Sequence, residues 1–211
     1  MADKPCIYVF AGTNGAGKSS VLGEMAIRAG AEYFNPDEAT LRILAANPGA
    51  TSAEANAEAW AQGKRLLERA IREHLDYMFE TTLGGETFVG LLQKALASRF
   101  EVRIAYVGLE SPELHIARVA ARVARGGHDI PEERIRYRYD QGREHLIQLL
   151  PNLTEMKLYD NSAEADPQAG KAPRPKLLLH MVAGRMKEMC DARQVPKWAK
   201  PIVAAALRVR D

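Results

Sequence analysis

At 211 residues and 23.3 kDa, the chain is long enough to bury one substantial core and too short for two comfortable domains. Its 46% hydrophobic and 27% charged residues are the proportions of an ordinary globular protein. A formal net charge of +2 is too small to argue for nucleic acid or an acidic membrane as partner. The two cysteines, Cys6 and Cys190, have neither metal-ligand spacing nor the density of a disulfide scaffold, and read as reduced thiols. No uncharged apolar run reaches spanning length, and the apolar part of "MADKPCIYVFAG" is shorter than the hydrophobic region of a signal peptide. A cytoplasmic protein without membrane contact is expected.

In chain order, "CIYVFAG" is a short β-branched and aromatic run ended by glycine, the pattern of a buried strand. A helix is predicted to start near Gly17 and to carry Val21, Leu22 and Met25 on one face. "AEYFNPDE" reads as a second strand that stops at Pro36, which cannot donate to a ladder. A helix over "EATLRILAAN" follows, closed by Asn47-Pro48-Gly49. Thr51 and Glu54 have capping-box spacing and open a long alanine-rich helix through Trp60, Leu66, Leu67 and Ile71.

"YMFETTL" is a third strand, Gly84-Gly85 a turn and "TFVGLLQKALASRF" a helix. "EVRIAYVGLE" is the clearest strand, and the "SPEL" after it places serine and proline at an N-cap and first helical position. Residues 112–150 read as two helices broken at "RGGHDIP", and "MKLYDNS" as a fifth strand. A polar, proline-rich loop is expected over 163–175, then a last strand and turn in "KLLLHMVAGRMKEM" and a C-terminal helix over 195–211. Strands alternating with helices imply an α/β fold: one domain over 1–211, a three-layer sandwich around a mostly parallel sheet of about five to six strands. Residues 112–150 would form an arginine-rich helical lid.

The stretch "AGTNGAGKSS" carries the chemistry. Gly12, Gly17, Lys18 and Ser19 satisfy G-x-x-x-x-G-K-[ST], with the strand before and the helix after that this loop requires. Small residues let the backbone N–H groups of Asn14, Gly15, Ala16, Gly17 and Ser20 converge on phosphate oxygens. The helix adds the positive end of its dipole. Lys18 would reach the outer phosphates of ATP, and the Ser19 hydroxyl would ligate Mg²⁺. The N-K-x-D segment of a guanine-specific switch and the L-S-G-G-Q signature of a transporter ATPase are both missing from the sequence. Their absence turns the reading toward a kinase with a small acceptor.

Ligands of an open parallel sheet gather outside the carboxyl ends of its strands. Asp37 in "FNPDE" and Glu80 in "FETT" fall there. A carboxylate that accepts the hydroxyl proton and aims its oxygen at the γ-phosphorus serves a kinase, and Asp37 is the candidate, although Asn-Pro-Asp is also ordinary helix-start chemistry. Glu80, with Thr81 and Thr82 beside it, would face the acceptor or orient Mg²⁺ through water. Arg118, Arg122 and Arg125 recur at helical spacing. Guanidinium groups there suit a transferring phosphoryl, and Gly126-Gly127 beside His128 could hinge a lid whose histidine touches substrate. Arg134 and Arg143 read as members of solvated Arg–Glu pairs. His74, His115, His145 and His180 are dispersed and receive no role.

Taken in order, "AGTNGAGKSS", "FNPDE", "FETTL", "RVAARVARGGHDIPEERIRYRY" and "LYDNS" make a set that resembles the zeta toxin-like kinases, in the chromosomal branch often called predicted ABC-type ATPases. The resemblance runs from Ile7 to Ser162. It implies a P-loop kinase fold and ATP- and Mg²⁺-dependent phosphorylation of the 3′-hydroxyl of the amino sugar in UDP-N-acetylglucosamine. By position it makes Lys18 the phosphate grip, Asp37 the general base, and Glu80 with Thr81 and Thr82 the acceptor-side segment. Arg118, Arg122 and Arg138 become lid arginines, with Arg125 and Arg136 near the same pattern. Toxin members act beside an antitoxin, so an antitoxin-like partner is a further expectation. Two other readings stay open: a nucleotide-dependent binding module whose lid orders on ATP, and a polynucleotide 5′-hydroxyl kinase.

Overall fold

The computed structural model describes residues 4–18, 33–163 and 175–209. The helix predicted from Gly17 onward, the loop read over 163–175 for all but its ends, and Ser19 and Ser20 lie outside the described residues. The elements are β1 (Cys6–Ala11), β2 (Tyr33–Phe34), α1 (Pro36–Ala46), α2 (Ser52–Glu73), β3 (Tyr77–Thr81), α3 (Glu86–Ala97), β4 (Glu101–Gly108), α4 (Pro112–Val123), α5 (Glu132–Leu149), β5 (Glu155–Asp160), β6 (Lys176–Val182), β7 (Arg185–Met189) and α6 (Lys200–Arg208).

The strands form one seven-stranded sheet in the order β2-β3-β1-β4-β5-β6-β7. β2, β3, β1, β4 and β5 pair in parallel, and β6 and β7 extend the edge antiparallel. β1 is central, and its alternate residues feed two apolar clusters, as a strand covered on both faces must. Ile7, Val9 and Ala11 join the large core with Leu67, Phe79, Leu92, Ile104, Leu146 and Leu158, whereas Phe10 packs with Ala16, Met78 and Val107 on the other face.

Helix ends follow the local chemistry. The Thr51 side chain accepts from Glu54 N–H and the Glu54 carboxylate accepts from Thr51 N–H, a complete capping box. Ser111 caps α4 with Pro112 behind it. The Asn35 side chain accepts from the N–H of Asp37 and Glu38, so α1 begins at Pro36 rather than at Glu38 and Asp37 sits in its first turn.

Two corrections concern the C-terminal third. "KLLLHMVAGRMKEM" is a complete hairpin, not one strand and a turn, which brings the sheet to seven strands. Ala183 and Gly184 both take positive φ, 47° and 70°, the two-residue turn that matches strand twist. The tail forms a 3₁₀ turn over Lys197–Ala199 before α6 starts at Lys200, because Pro196 and Pro201 delay the α-helix. Trp198 in that turn is buried, lies against Gly108 and donates from Nε1 to Asp160 Oδ1 at 3.1 Å. Among the described residues, no helix is long and apolar enough to cross a membrane.

Candidate active site

Because β1 to β5 run in parallel, their carboxyl ends emerge on one side. The loop after β1, Asn35-Pro36-Asp37 after β2, Glu80 and Thr81 at the end of β3, and Asp160-Asn161 at the end of β5 meet there.

The loop after β1 is built for close approach. Gly12, Gly15 and Gly17 have φ of 141°, 81° and 83°. A Cβ on Gly12 would stand 2.1 Å from Val107 O, so neither the conformation nor the space admits a side chain. Gly12 N–H donates to Thr81 O at 3.2 Å, which ties the loop to β3. Lys18 Nζ donates to Gly12 O at 2.8 Å, folding back over the loop as a phosphate-loop lysine does. Loss of hydration pulls its pKa down, opposed by the charges of Glu80 and Asp37.

Behind the loop stand His115, for which no role was expected, and Asn161, within the "LYDNS" segment. His115 is buried and its Nδ1–H donates to Asn14 O at 2.8 Å; burial pushes its pKa down to about 4, so the ring is neutral near pH 7. Asn161 donates from Nδ2 to Ala16 O at 2.9 Å. Asn161 was signalled by its place in "LYDNS", after a strand that ends in an open sheet's ligand crevice. His115 had none beyond its place in α4.

Facing the loop is a cavity of about 430 Å³ lined by Asn14, Lys18, Asp37, Glu80, Thr81, Thr82, His128 and Arg138, and also by Trp60, Phe88, Arg134 and Tyr137. Asp37 Oδ2 accepts from Arg122 Nη1 at 2.9 Å, and Oδ1 lies 3.5 Å from His128 Nε2. Arg122 Nη2 also donates to His128 O at 3.2 Å, so the "RGGHD" turn folds around this guanidinium. Glu80 is buried, and its Oε1 accepts from the Tyr33 hydroxyl and from Asn35 Nδ2. Burial and the Glu80 charge raise the Tyr33 pKa, keeping that phenol a donor. Thr81 and Thr82 line the cavity, and their hydroxyls accept from the N–H of Leu83 and Gly84.

The arginines separate. Arg138 Nη1 donates to Asn14 Oδ1 at 2.8 Å, its stem packs on Gly84, and burial lowers its pKa. Arg122 reaches Asp37. Arg118 rises beside Gly15 and donates to Ala163 O at 3.3 Å, next to the loop but outside the cavity lining. Arg125 lies past the end of α4 and bonds Ala121 O, and Arg136 pairs with Glu113 at the surface. Arg143 stacks on Tyr139 at 4.2 Å and bonds Asp140. Arg134, read from sequence as part of a surface pair, lines the cavity instead. It is one helical turn from Arg138, a spacing that does give the shared face.

A model of the AAA domain family matches residues 7–143, the span from β1 into α5 that holds nearly all of these groups. The chain belongs to the AAA domain family. An uncharacterised protein from Haemophilus influenzae is 31% identical to this AAA-domain chain over 141 residues, 66% of this chain and 94% of that one. Among solved structures, the fold is similar to a chain of the AvrRxo1-ORF1:-ORF2 complex with ATP, at TM-score 0.66 and 15% identity over 97% of this chain. The present chain spans 64% of that protein's length. It is also similar to a chain of the PezAT chromosomal toxin–antitoxin system of Streptococcus pneumoniae, at TM-score 0.57 and 13% identity, covering 99% of this chain and 86% of that one. Likeness at this identity shows the fold: this AAA-domain chain has a P-loop kinase-like α/β architecture.

Proposed function

We propose that the protein is an ATP- and Mg²⁺-dependent kinase that moves the γ-phosphoryl group to a hydroxyl of a small molecule. One observation carries the reading: Lys18 of the phosphate loop and Asp37 line the same cavity, with Arg138 between loop and helix and Arg122 on the carboxylate. A cavity of this size beside a phosphate loop leaves room for a second substrate.

The glycine cradle fits nucleotide phosphates, since its Gly12 position excludes any Cβ and its lysine is in place. Mg²⁺ arriving with ATP supplies charge neutralisation between the phosphates; Ser19 and, through water, Glu80 are the residues that would hold it. Lys18 grips the outer phosphates. The acceptor hydroxyl binds against Asp37, whose carboxylate takes the proton as the oxygen attacks phosphorus. Arg122 and Arg138 face the charge on the transferring group, with Arg118 beside the loop. Thr81, Thr82 and His128 contact the acceptor.

The resemblance to zeta toxin-like kinases names UDP-N-acetylglucosamine as the first acceptor to try. The PezAT likeness supports an antitoxin-like protein partner as part of the same proposal. The test is a mass-spectrometric scan of ATP, Mg²⁺ and wild-type protein with a panel of nucleotide sugars, against Lys18→Ala. A product one phosphate heavier, made only by the wild type, is expected. ADP release without any phosphorylated acceptor would move the reading to a nucleotide-dependent binding module.

A further inference from the structure

The small net charge of the chain hides an uneven distribution. Residues 171–211 hold ten Lys and Arg against three Asp and Glu, whereas residues 1–170 hold nineteen against twenty-four. A basic surplus confined to one end of a chain is a signature of contact with a polyanion. It falls beyond the 7–143 family match, on residues that do not line the cavity beside the phosphate loop.

The structure turns this surplus into a surface. Arg185 and Lys187 are exposed on β7, the last strand of the sheet among the described residues. Lys187 has no register partner in β6, so it sits at a bulge. On α6, Lys200, Ala204 and Arg208 are exposed at i, i+4 and i+8, which sets both cations on one face about 12 Å apart. The two elements meet at one corner: a Cβ on Gly184 would stand 3.4 Å from Val209 Cγ1, and Arg185 follows the first residue as Arg208 precedes the second. Among the described residues, none of these four cationic side chains has a hydrogen bond or ion pair. Elsewhere exposed cations are matched by acids, as in Arg42–Glu38, Arg65–Glu58 and Arg136–Glu113. β7 is four strands from β1, about 19 Å across the sheet, which separates this surface from the phosphate loop.

The rest of the surface selects among polyanions. The apolar side of α6, Ile202, Val203 and Ala206, is buried, so this helix has no face left to enter a membrane. Leu207 is the one large apolar side chain exposed within 175–209, whereas a protein partner needs aromatic or apolar anchors. The bulge and Lys187 resist addition of a strand to β7. Residues 175–209 contain no Phe or Tyr, and Trp198 is buried, so no ring is offered on which single-stranded bases could stack. They contain no Ser, Thr or Asn either, the short polar groups suited to a ribose 2′-hydroxyl. What remains is a set of unpaired cations, which suits a phosphate backbone. We infer that β7 and α6 form a docking surface for the backbone of duplex DNA, without contacts to its bases. This surface is independent of the kinase reading.

Fluorescence anisotropy of a labelled DNA duplex of about 20 base pairs, titrated with the full chain, tests this. With about four phosphate contacts, the logarithm of affinity should fall against that of salt with a slope of about −3.6, roughly a hundredfold between about 50 and 200 mM. Arg185→Gln, Lys200→Gln and Arg208→Gln combined should bring the slope to about −1, with an unchanged melting temperature because all three side chains are exposed. Arg42→Gln with Arg65→Gln, on α1 and α2, should keep the wild-type slope, and so should Lys18→Ala. No binding, binding indifferent to salt, or a wild-type slope in the triple variant would overturn the surface. Release of the duplex by a non-hydrolysable ATP analogue would put the DNA at the phosphate loop and overturn it as well. Tighter binding of the matching RNA duplex, the single strand, poly-glutamate or phosphatidylserine vesicles would overturn the choice of DNA. Phosphoryl transfer enters none of these readouts, so the kinase reading and the DNA surface stand or fall separately.

Discussion

Replacing Asp37 with asparagine separates a structural acid from a chemical one. In the structure Asp37 contributes an ion pair with Arg122 whose side chains are 42% and 33% exposed, and a negative charge in the first turn of α1. A pair that open to water is worth about 0.5–1 kcal/mol, and the helix-end charge about as much again. The amide oxygen of the substituted side chain would still accept from Arg122, and the start of α1 depends on Asn35 and not on this carboxylate. The loss should therefore stay near 1 kcal/mol, a fall of about 2–4 °C in melting temperature for a chain of this size. Removing a general base costs at least about a hundredfold in rate, or roughly 2.7 kcal/mol of transition-state stabilisation. The assay is the rate of phosphorylated product with the acceptor found in the nucleotide-sugar panel, beside ATP affinity by calorimetry. Turnover within about threefold of wild type would remove Asp37 from the mechanism. A collapse of ATP affinity together with a melting drop beyond about 10 °C would show that the acid is structural.

Gly12→Ala should abolish ATP binding, because its Cβ would meet Val107 O at 2.1 Å; calorimetric affinity within about tenfold of wild type would contradict the cradle geometry. Trp198→Ala should cost about 3–5 kcal/mol through the cavity left against Gly108 and the lost bond to Asp160, read as a melting drop of about 10 °C or more. His115 titrates near 4 when folded and near the ordinary 6.5 when unfolded, so between those values the unfolded chain binds more protons and stability rises with pH. Its contribution is complete above pH 6.5 and falls as pH drops toward 4, with about 2 kcal/mol gone by pH 5; urea midpoints of wild type and His115→Gln should show a shallower acid slope in the variant.

The phosphate loop and the strand before it were legible because their residues are constrained locally. A glycine at φ 141° or a capping box at Thr51 announces itself in sequence. The parallel half of the sheet followed from β-branched runs alternating with helices. The hairpin after residue 175 was half visible, since Ala183-Gly184 is a weaker turn signal than Asn-Gly. His115 and Trp198 were hidden for another reason: each acts on a partner 101 or 38 residues away, and no local pattern records such a distance. Arg134 was misplaced by counting acids nearby in sequence. Its neighbours Glu132 and Glu133 mark a helix start, and the arginine leaves them to face the cavity.

Arg138 touches both halves of the site at once. Its guanidinium holds Asn14 in the phosphate loop, while its stem seats the turn at Gly84 and its helix also brings Arg134 and Tyr137 to the cavity. Trp60 and Tyr137, which also line the cavity, are largely exposed and lie outside the buried core. At Arg138, α5 is tied to the loop after β1 by two bonds, from Arg138 Nη1 to Asn14 Oδ1 and from the Thr13 hydroxyl to Arg138 O. Substitutions at Trp60, Arg134 and Tyr137 would therefore reshape the cavity wall and leave these ties between α5 and the loop intact, whereas a change at Arg138 would alter wall and loop together.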